Sequence, residues 1–150
     1  QVMTKSYQAE WTTSVFLRRV LWANAFFSTA TALLLLAAAA PLANWTGIQP
    51  PVVFLVLGVG LLLFAGVVAW IAQRATDNLA LVRAIFLLDL AWVAASIALL
   101  LGGWLPLTTA GWWAVLLVAD VVALFALLEY VGLRRAGKEQ GGINVQPTRA

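Results

Sequence analysis

Between Arg19 and Arg74 the chain runs for 54 residues without one Asp, Glu, Lys or Arg. A helix needs about 20 apolar residues to cross the roughly 30 Å hydrocarbon core of a bilayer, so this segment fits two crossings joined by a turn. The turn is PLANWTGIQPP at 41–51, where Pro41, Pro50 and Pro51 together with Asn44, Thr46 and Gly47 stop one helix and start another. The first span is then 20–42 and the second 52–72. After the polar break QRATDN at 73–78, a third span occupies 79–101. Gly102, Gly103 and Pro106 interrupt it, Thr108-Thr109 offers an N-cap, and a fourth span covers 111–133.

Composition agrees with that reading. The chain is 63% apolar and 10% charged, with a mean hydropathy of +0.95, whereas soluble domains are about half apolar and a quarter charged. A secretory signal peptide has a single short apolar core, which four full-length spans do not match. The expected fold is an all-α integral membrane four-helix bundle over residues 18–136. Ahead of it, residues 1–17 read as an interfacial helix leading into the first span. Residues 137–150, rich in Gly and polar groups, read as a flexible tail.

The basic residues set the expected orientation. Lys5, Arg18, Arg19, Arg74, Arg83, Arg134, Arg135, Lys138 and Arg149 all fall on the side shared by the N-terminus, the 73–78 loop and the C-terminus, and loops 43–51 and 102–110 carry no charge. Nine against zero is a positive-inside pattern that places both termini in the cytoplasm of a multi-pass protein. Trp45, Trp104, Trp112 and Trp113 mark the outer interface; Trp11 and Trp70 mark the inner one. The net charge of +3 is accounted for by topology, without the basic run and interleaved aromatics of a nucleic-acid binder. The bilayer itself is the expected partner, with bound lipid.

What the chain lacks narrows its chemistry. It has no His and no Cys, and its single Met is Met3. Disulfides, His- or Cys-ligated metals, iron–sulfur clusters and Ser-His or Cys-His nucleophiles are excluded. Neither end is large enough for a catalytic domain, so an enzyme is not expected and no metal or cofactor is predicted. Trp22, Phe86 and Trp92 offer contact surface for a pigment or quinone, although aromatic stripes in a bundle ordinarily serve packing.

A self-comparison at an offset of 65 aligns the first span with the third: Arg18 on Arg83, Asn24 on Asp89, Thr31 on Ser96 and Pro41 on Pro106. The reading is two tandem helical hairpins related by a pseudo-twofold along the membrane normal, an arrangement known from transporters but also a simple route to any four-helix bundle. Small residues at helical spacing predict the packing faces: Gly58, Ala65, Ala69 and Ala72 on the second span, Ala84, Ala91, Ala95, Ala98 and Gly102 on the third, and Ala119, Ala123 and Ala126 on the fourth.

Asp89 and Asp120 are the residues to explain. Each sits about ten residues from a span end, roughly 15 Å deep at 1.5 Å per residue, where a carboxylate must face protein or a water cavity. Their levels allow the two to share a site. Two carboxylates at close range in a low dielectric cannot both carry charge cheaply, and a cation, a shared proton or an arginine would relieve them. The expected polar site is therefore Asp89, Asp120, Asn24, Ser96 and Arg83, with Arg83 about 120° around the helix from Asp89. Hydrogen bonds from Asn24, Ser28, Thr31 or Ser96 would instead make the aspartates a structural register device. Glu129, near the inner interface, is expected to pair with Arg134, Arg135 or water.

The pattern Arg18, Asn24, Ser28 and Pro41-Leu42, then Asp89-Leu90-Ala91-Trp92 and a closing Gly132-Leu133-Arg134-Arg135, resembles small four-helix bacterial membrane proteins of unassigned function over most of residues 16–136. The resemblance implies the fold and a bacterial inner membrane, and transfers no activity or site. The first-helix glutamate of small multidrug exporters is absent, with Asn24 in the corresponding span. Two functions remain open: a non-catalytic accessory or scaffold subunit of a larger respiratory, photosynthetic or transport complex, or a small oligomeric transporter or channel using Asp89 and Asp120 for ion or proton coupling.

Overall fold

The computed structural model describes residues 2–74 and 76–143, with side chains from Thr13 to Lys138 within those bounds. Five helices make up the described residues: α1 (Val2–Ala37), α2 (Ala39–Thr46), α3 (Val52–Arg74), α4 (Leu79–Gly102) and α5 (Thr109–Ile143). Four segments are long and apolar enough to cross a membrane: Thr13–Ala37, Val52–Arg74, Leu79–Gly102 and Thr109–Lys138. α1 passes unbroken from residue 2 through residue 17 into the first span, and α5 extends to Ile143 through the first half of the expected tail. The rest of that tail, 144–150, lies outside the described residues.

Pro41 does not end the first helix where it stands. The break comes at Ala38, three residues earlier, and Pro41 sits in the first turn of α2. A helical residue 41 would donate its N–H to the carbonyl of Ala37; proline has no N–H, and its ring collides with that carbonyl. The chain therefore turns at Ala38 and restarts, with Leu42 N–H donating to the Ala38 carbonyl at 2.9 Å. α2 ends on Gly47 at φ 84°, a left-handed conformation suited to glycine. Further along, Asn78 caps α4 by accepting from Ala80 N–H at 3.2 Å, Gly103 ends it at φ 62°, and Thr108 Oγ1 caps α5 by accepting from Gly111 N–H at 3.0 Å.

α1 pairs with α3 and α4 with α5, giving two hairpins that join along α1 and α5. α1 and α4 then face each other across the bundle diagonal. α3 and α4, though consecutive, make the slightest contact of any touching pair, so the ring of four is closed on three seams and loose on the fourth.

Each end of the bundle has its own core. At the arginine-bearing end, Leu17, Leu21, Val68, Ile71, Val82, Ile85 and Leu133 pack into one buried cluster. At the opposite, uncharged end, Ala39, Ala43, Ile48 and Phe54 pack with Leu105 and Leu107. There the two hairpins are latched by backbone: Thr108 N–H donates to the Thr46 carbonyl at 2.9 Å, and Thr108 Oγ1 donates to the Trp45 carbonyl at 2.6 Å. The latch requires Gly111, since a Cβ there would collide with the Thr46 backbone.

Outside the cores, Leu33, Leu63, Leu88, Leu101 and Leu117 are exposed, as suits helices solvated by lipid rather than water. The small-residue stripe on α4 follows this pattern and not the packing expectation. Ala84, Ala91, Ala95, Ala98 and Gly102 are exposed, whereas Gly58, Ala65 and Ala72 on α3 and Ala119 and Ala126 on α5 are buried. α4 packs instead through Val82, Ile85, Asp89 and Ser96.

Candidate functional site

The buried face of α1 reads Leu17, Leu21, Asn24, Ser28 at spacings of four, three and four residues, one side of a helix. Two leucines enter the dry core; the next two positions carry amide and hydroxyl into the bundle centre. From across the diagonal Asp89 comes in on α4, and from the neighbouring seam Glu129 on α5. Asn24 is 2% exposed, Asp89 4% and Glu129 0%.

One amide joins them. Asn24 Nδ2 donates to Asp89 Oδ2 at 2.6 Å and to Glu129 Oε1 at 3.1 Å, and Asn24 Oδ1 accepts from Ser28 Oγ at 3.2 Å. An amide NH2 has two hydrogens to give, and each goes to a different carboxyl group. Glu129 Oε2 is buried with no hydrogen-bond partner. Arg18, Arg19, Arg83, Arg134 and Arg135 are all exposed, and Arg135 lies over the Phe16 ring at 5.5 Å. The two acids therefore meet in the bundle interior with a neutral amide between them.

The expected site residues separate accordingly. Asp89 and Asn24 are joined. Ser96 is buried but donates to the Trp92 carbonyl of its own helix at 2.9 Å. Arg83 is exposed, and so is Asp120, on the outer side of α5. The partner of Asp89 is thus Glu129 and not Asp120, and Glu129 does not pair with Arg134 or Arg135. Asp120 is turned away because it follows buried Ala119 by one residue, about 100° around the helix.

A signal for Glu129 was present in the sequence. Asn24 stands five and six residues from Arg19 and Arg18, Asp89 six from Arg83, and Glu129 five and six from Arg134 and Arg135. If the arginines mark one level, all three polar groups lie about 8–9 Å from it at 1.5 Å per residue. Asp120 is 14 residues from Arg134 and falls on another level.

On the side of the cluster away from the dry core lies a cavity of about 390 Å³. Phe27, Ser28 and Thr31 of α1, Phe64 of α3, and Asp89 and Trp92 of α4 line its interior. Trp92 Nε1 is buried in the surrounding wall, off the cavity surface and without an acceptor. The exposed members of the wall, Val56, Leu57 and Gly60 on α3 and Leu88 on α4, flank the loose seam. Of the aromatic residues considered for pigment or quinone contact, Phe86 packs on Tyr130 at 6.0 Å, Trp22 is exposed, and Trp92 belongs to this cavity.

Comparison with protein-family models, with curated proteins and with solved structures finds no match for this chain.

Proposed function

We propose that this chain is a non-catalytic accessory subunit of a larger assembly in a bacterial inner membrane, with both termini in the cytoplasm. The observation that carries the reading is the exposed position of Asp120. It lies eleven residues into α5, about 16 Å from the helix start at 1.5 Å per residue, and therefore near the middle of the span. A carboxylate facing lipid at that depth costs at least about 2.5 kcal/mol on insertion scales, and membrane-embedded acids accordingly face protein or water. Among the described residues none hydrogen-bonds or ion-pairs with it, so a neighbouring chain is the natural cover.

The surroundings of Asp120 support a helical neighbour. Trp113, Leu117, Asp120, Leu124 and Leu127 are all exposed on α5 at spacings of four, three, four and three. That is the seam of a helix pair, in which one central polar residue fixes register. The outward stripe of Ala84, Ala91, Ala95 and Ala98 on α4 lets a second helix approach closely. The complementary group on the partner is a mid-membrane amide, hydroxyl or basic side chain. The nine basic residues on one side support the orientation.

Purification from the native membrane in mild detergent tests this. A distinct partner chain should co-purify with the wild type and be lost from Asp120→Leu, while the variant chain itself stays folded. Recovery of the wild type as a monomer or homodimer alone would overturn the reading.

A further inference from the structure

The cavity beside Asp89 has three attributes of a binding site: volume, an entrance and a carboxyl group in an otherwise apolar wall. Its 390 Å³ falls within the range of small-molecule pockets, about 300–1,000 Å³. Both ends are closed, by the Leu17–Leu21–Ile85 core at the arginine end and by the Ala43–Phe54 core at the other. The exposed wall residues belong to α3 and α4 alone, so the entrance is the loose seam between those helices. Gly60 keeps that entrance wide, for no atom lies within 4 Å of where its Cβ would be. A seam at that depth communicates with the bilayer interior, and what enters through it must be lipid-soluble.

The polar groups specify the rest. Asp89 belongs both to the cavity wall and, through Asn24, to a buried acid pair. Behind it Glu129 is fully buried, with Oε2 lacking any donor. Six arginines, Arg18, Arg19, Arg74, Arg83, Arg134 and Arg135, surround this end of the bundle, and all are exposed, so the cavity is the side from which a cation can reach Asp89. Phe27, Phe64 and Trp92 line the same cavity, and aromatic rings attract a cation held over their faces. We infer that the cavity binds a lipid-soluble amphiphilic amine, its ammonium against Asp89 and its apolar body between α3 and α4. The inference is independent of the accessory role, because it concerns the inside of the bundle and needs no partner chain.

The test uses the full chain in lipid nanodiscs with radiolabelled propranolol, an aryl amine carrying ether and hydroxyl oxygens, and subtracts partition into empty discs. Saturable binding of one molecule per chain is expected, competed by unlabelled amine and not by a neutral analogue in which hydroxyl replaces the amino group. Asp89→Asn should weaken binding by about thirtyfold or more, as for loss of one partner of a buried charge pair. Gly60→Phe should abolish it by filling the entrance, and since the position is exposed and a Cβ there meets nothing within 4 Å, this variant tests the site at a position outside the packed core. Asp120→Asn should bind as the wild type does. Absence of saturable binding, equal competition by the neutral analogue, or binding unchanged in Gly60→Phe would each overturn the inference.

Discussion

Replacing Asn24 by Leu isolates the group on which the bundle centre depends. The substitution removes the hydrogen bonds of 2.6 Å to Asp89 and 3.1 Å to Glu129 at a stroke, along with the acceptor of Ser28. Interhelical side-chain bonds in a bilayer average about 0.6 kcal/mol and reach about 1.7, so the pair contributes about 2–3 kcal/mol, with the shorter bond at the upper end. Glu129 then loses its sole partner while remaining buried, which adds about 1–3 kcal/mol for an unsatisfied polar group. The expected destabilisation is about 3–6 kcal/mol. Reversible unfolding of the full chain in mixed micelles with increasing SDS, followed by tryptophan fluorescence, reads it out. The triple variant Asn24→Leu, Asp89→Leu, Glu129→Leu should recover most of the loss, because both carboxyl groups go with the amide and only the Ser28 hydroxyl loses its acceptor. A single variant within about 0.5 kcal/mol of wild type, the ordinary range of an uninvolved surface position, would refute the bridging role of the amide.

Three glycines form a graded series on the same assay. Gly60→Ala should stabilise by about 0.5–1 kcal/mol through the helical backbone alone, its new methyl meeting nothing within 4 Å. Gly132→Ala presses on the flexible end of Leu17, and Gly111→Ala on the Thr46 backbone, so stability should fall in the order 60, 132, 111; any other order contradicts the packing described. Thr108→Ala removes both the cap of α5 and the latch to Trp45 and should cost about 1–2 kcal/mol, with faster hydrogen exchange at Gly111 N–H as its local signature. Pro41→Ala restores the missing N–H opposite Ala37 and should merge α1 with α2, lengthening the spin-label distance between positions 22 and 45; an unchanged distance would show that the latch, not the proline, sets the break.

The four membrane-length segments are legible in the sequence, because lipid imposes a minimum length and charge marks the ends, whereas the separate α2 and the full extents of α1 and α5 are not. The rotations of the helices are not legible either. A soluble helix declares its buried face by being polar elsewhere, but in a bilayer the outward face is as apolar as the inward one. α4 illustrates the failure: its alanine stripe looks like a packing face, yet the helix packs through Val82, Ile85 and Asp89 and turns the alanines outward. With periodicity silent, carboxylates were matched by type and approximate depth, which joined Asp89 to Asp120 and left Glu129 to the interface.

Level along the helix axis is the better guide. Three of the four spanning helices hold a polar residue five or six positions from an arginine, and those residues are the ones that meet. α3 is the exception: six residues before Arg74 stands Val68, fully buried in the dry core. The helix that contributes nothing to the polar network is also the one most loosely joined to α4. If the polar bonds hold the α1, α5 and α4 helices together, α3 is free of that constraint and held to the bundle chiefly through α1. Val68→Asn tests this coupling: an amide at the level of Asn24 should either draw α3 onto the cluster and narrow the seam, seen as a shorter spin-label distance between positions 57 and 88, or leave the distance unchanged. The second result would mean that the seam is set by the cores at the two ends, and that the polar network has no part in keeping it open.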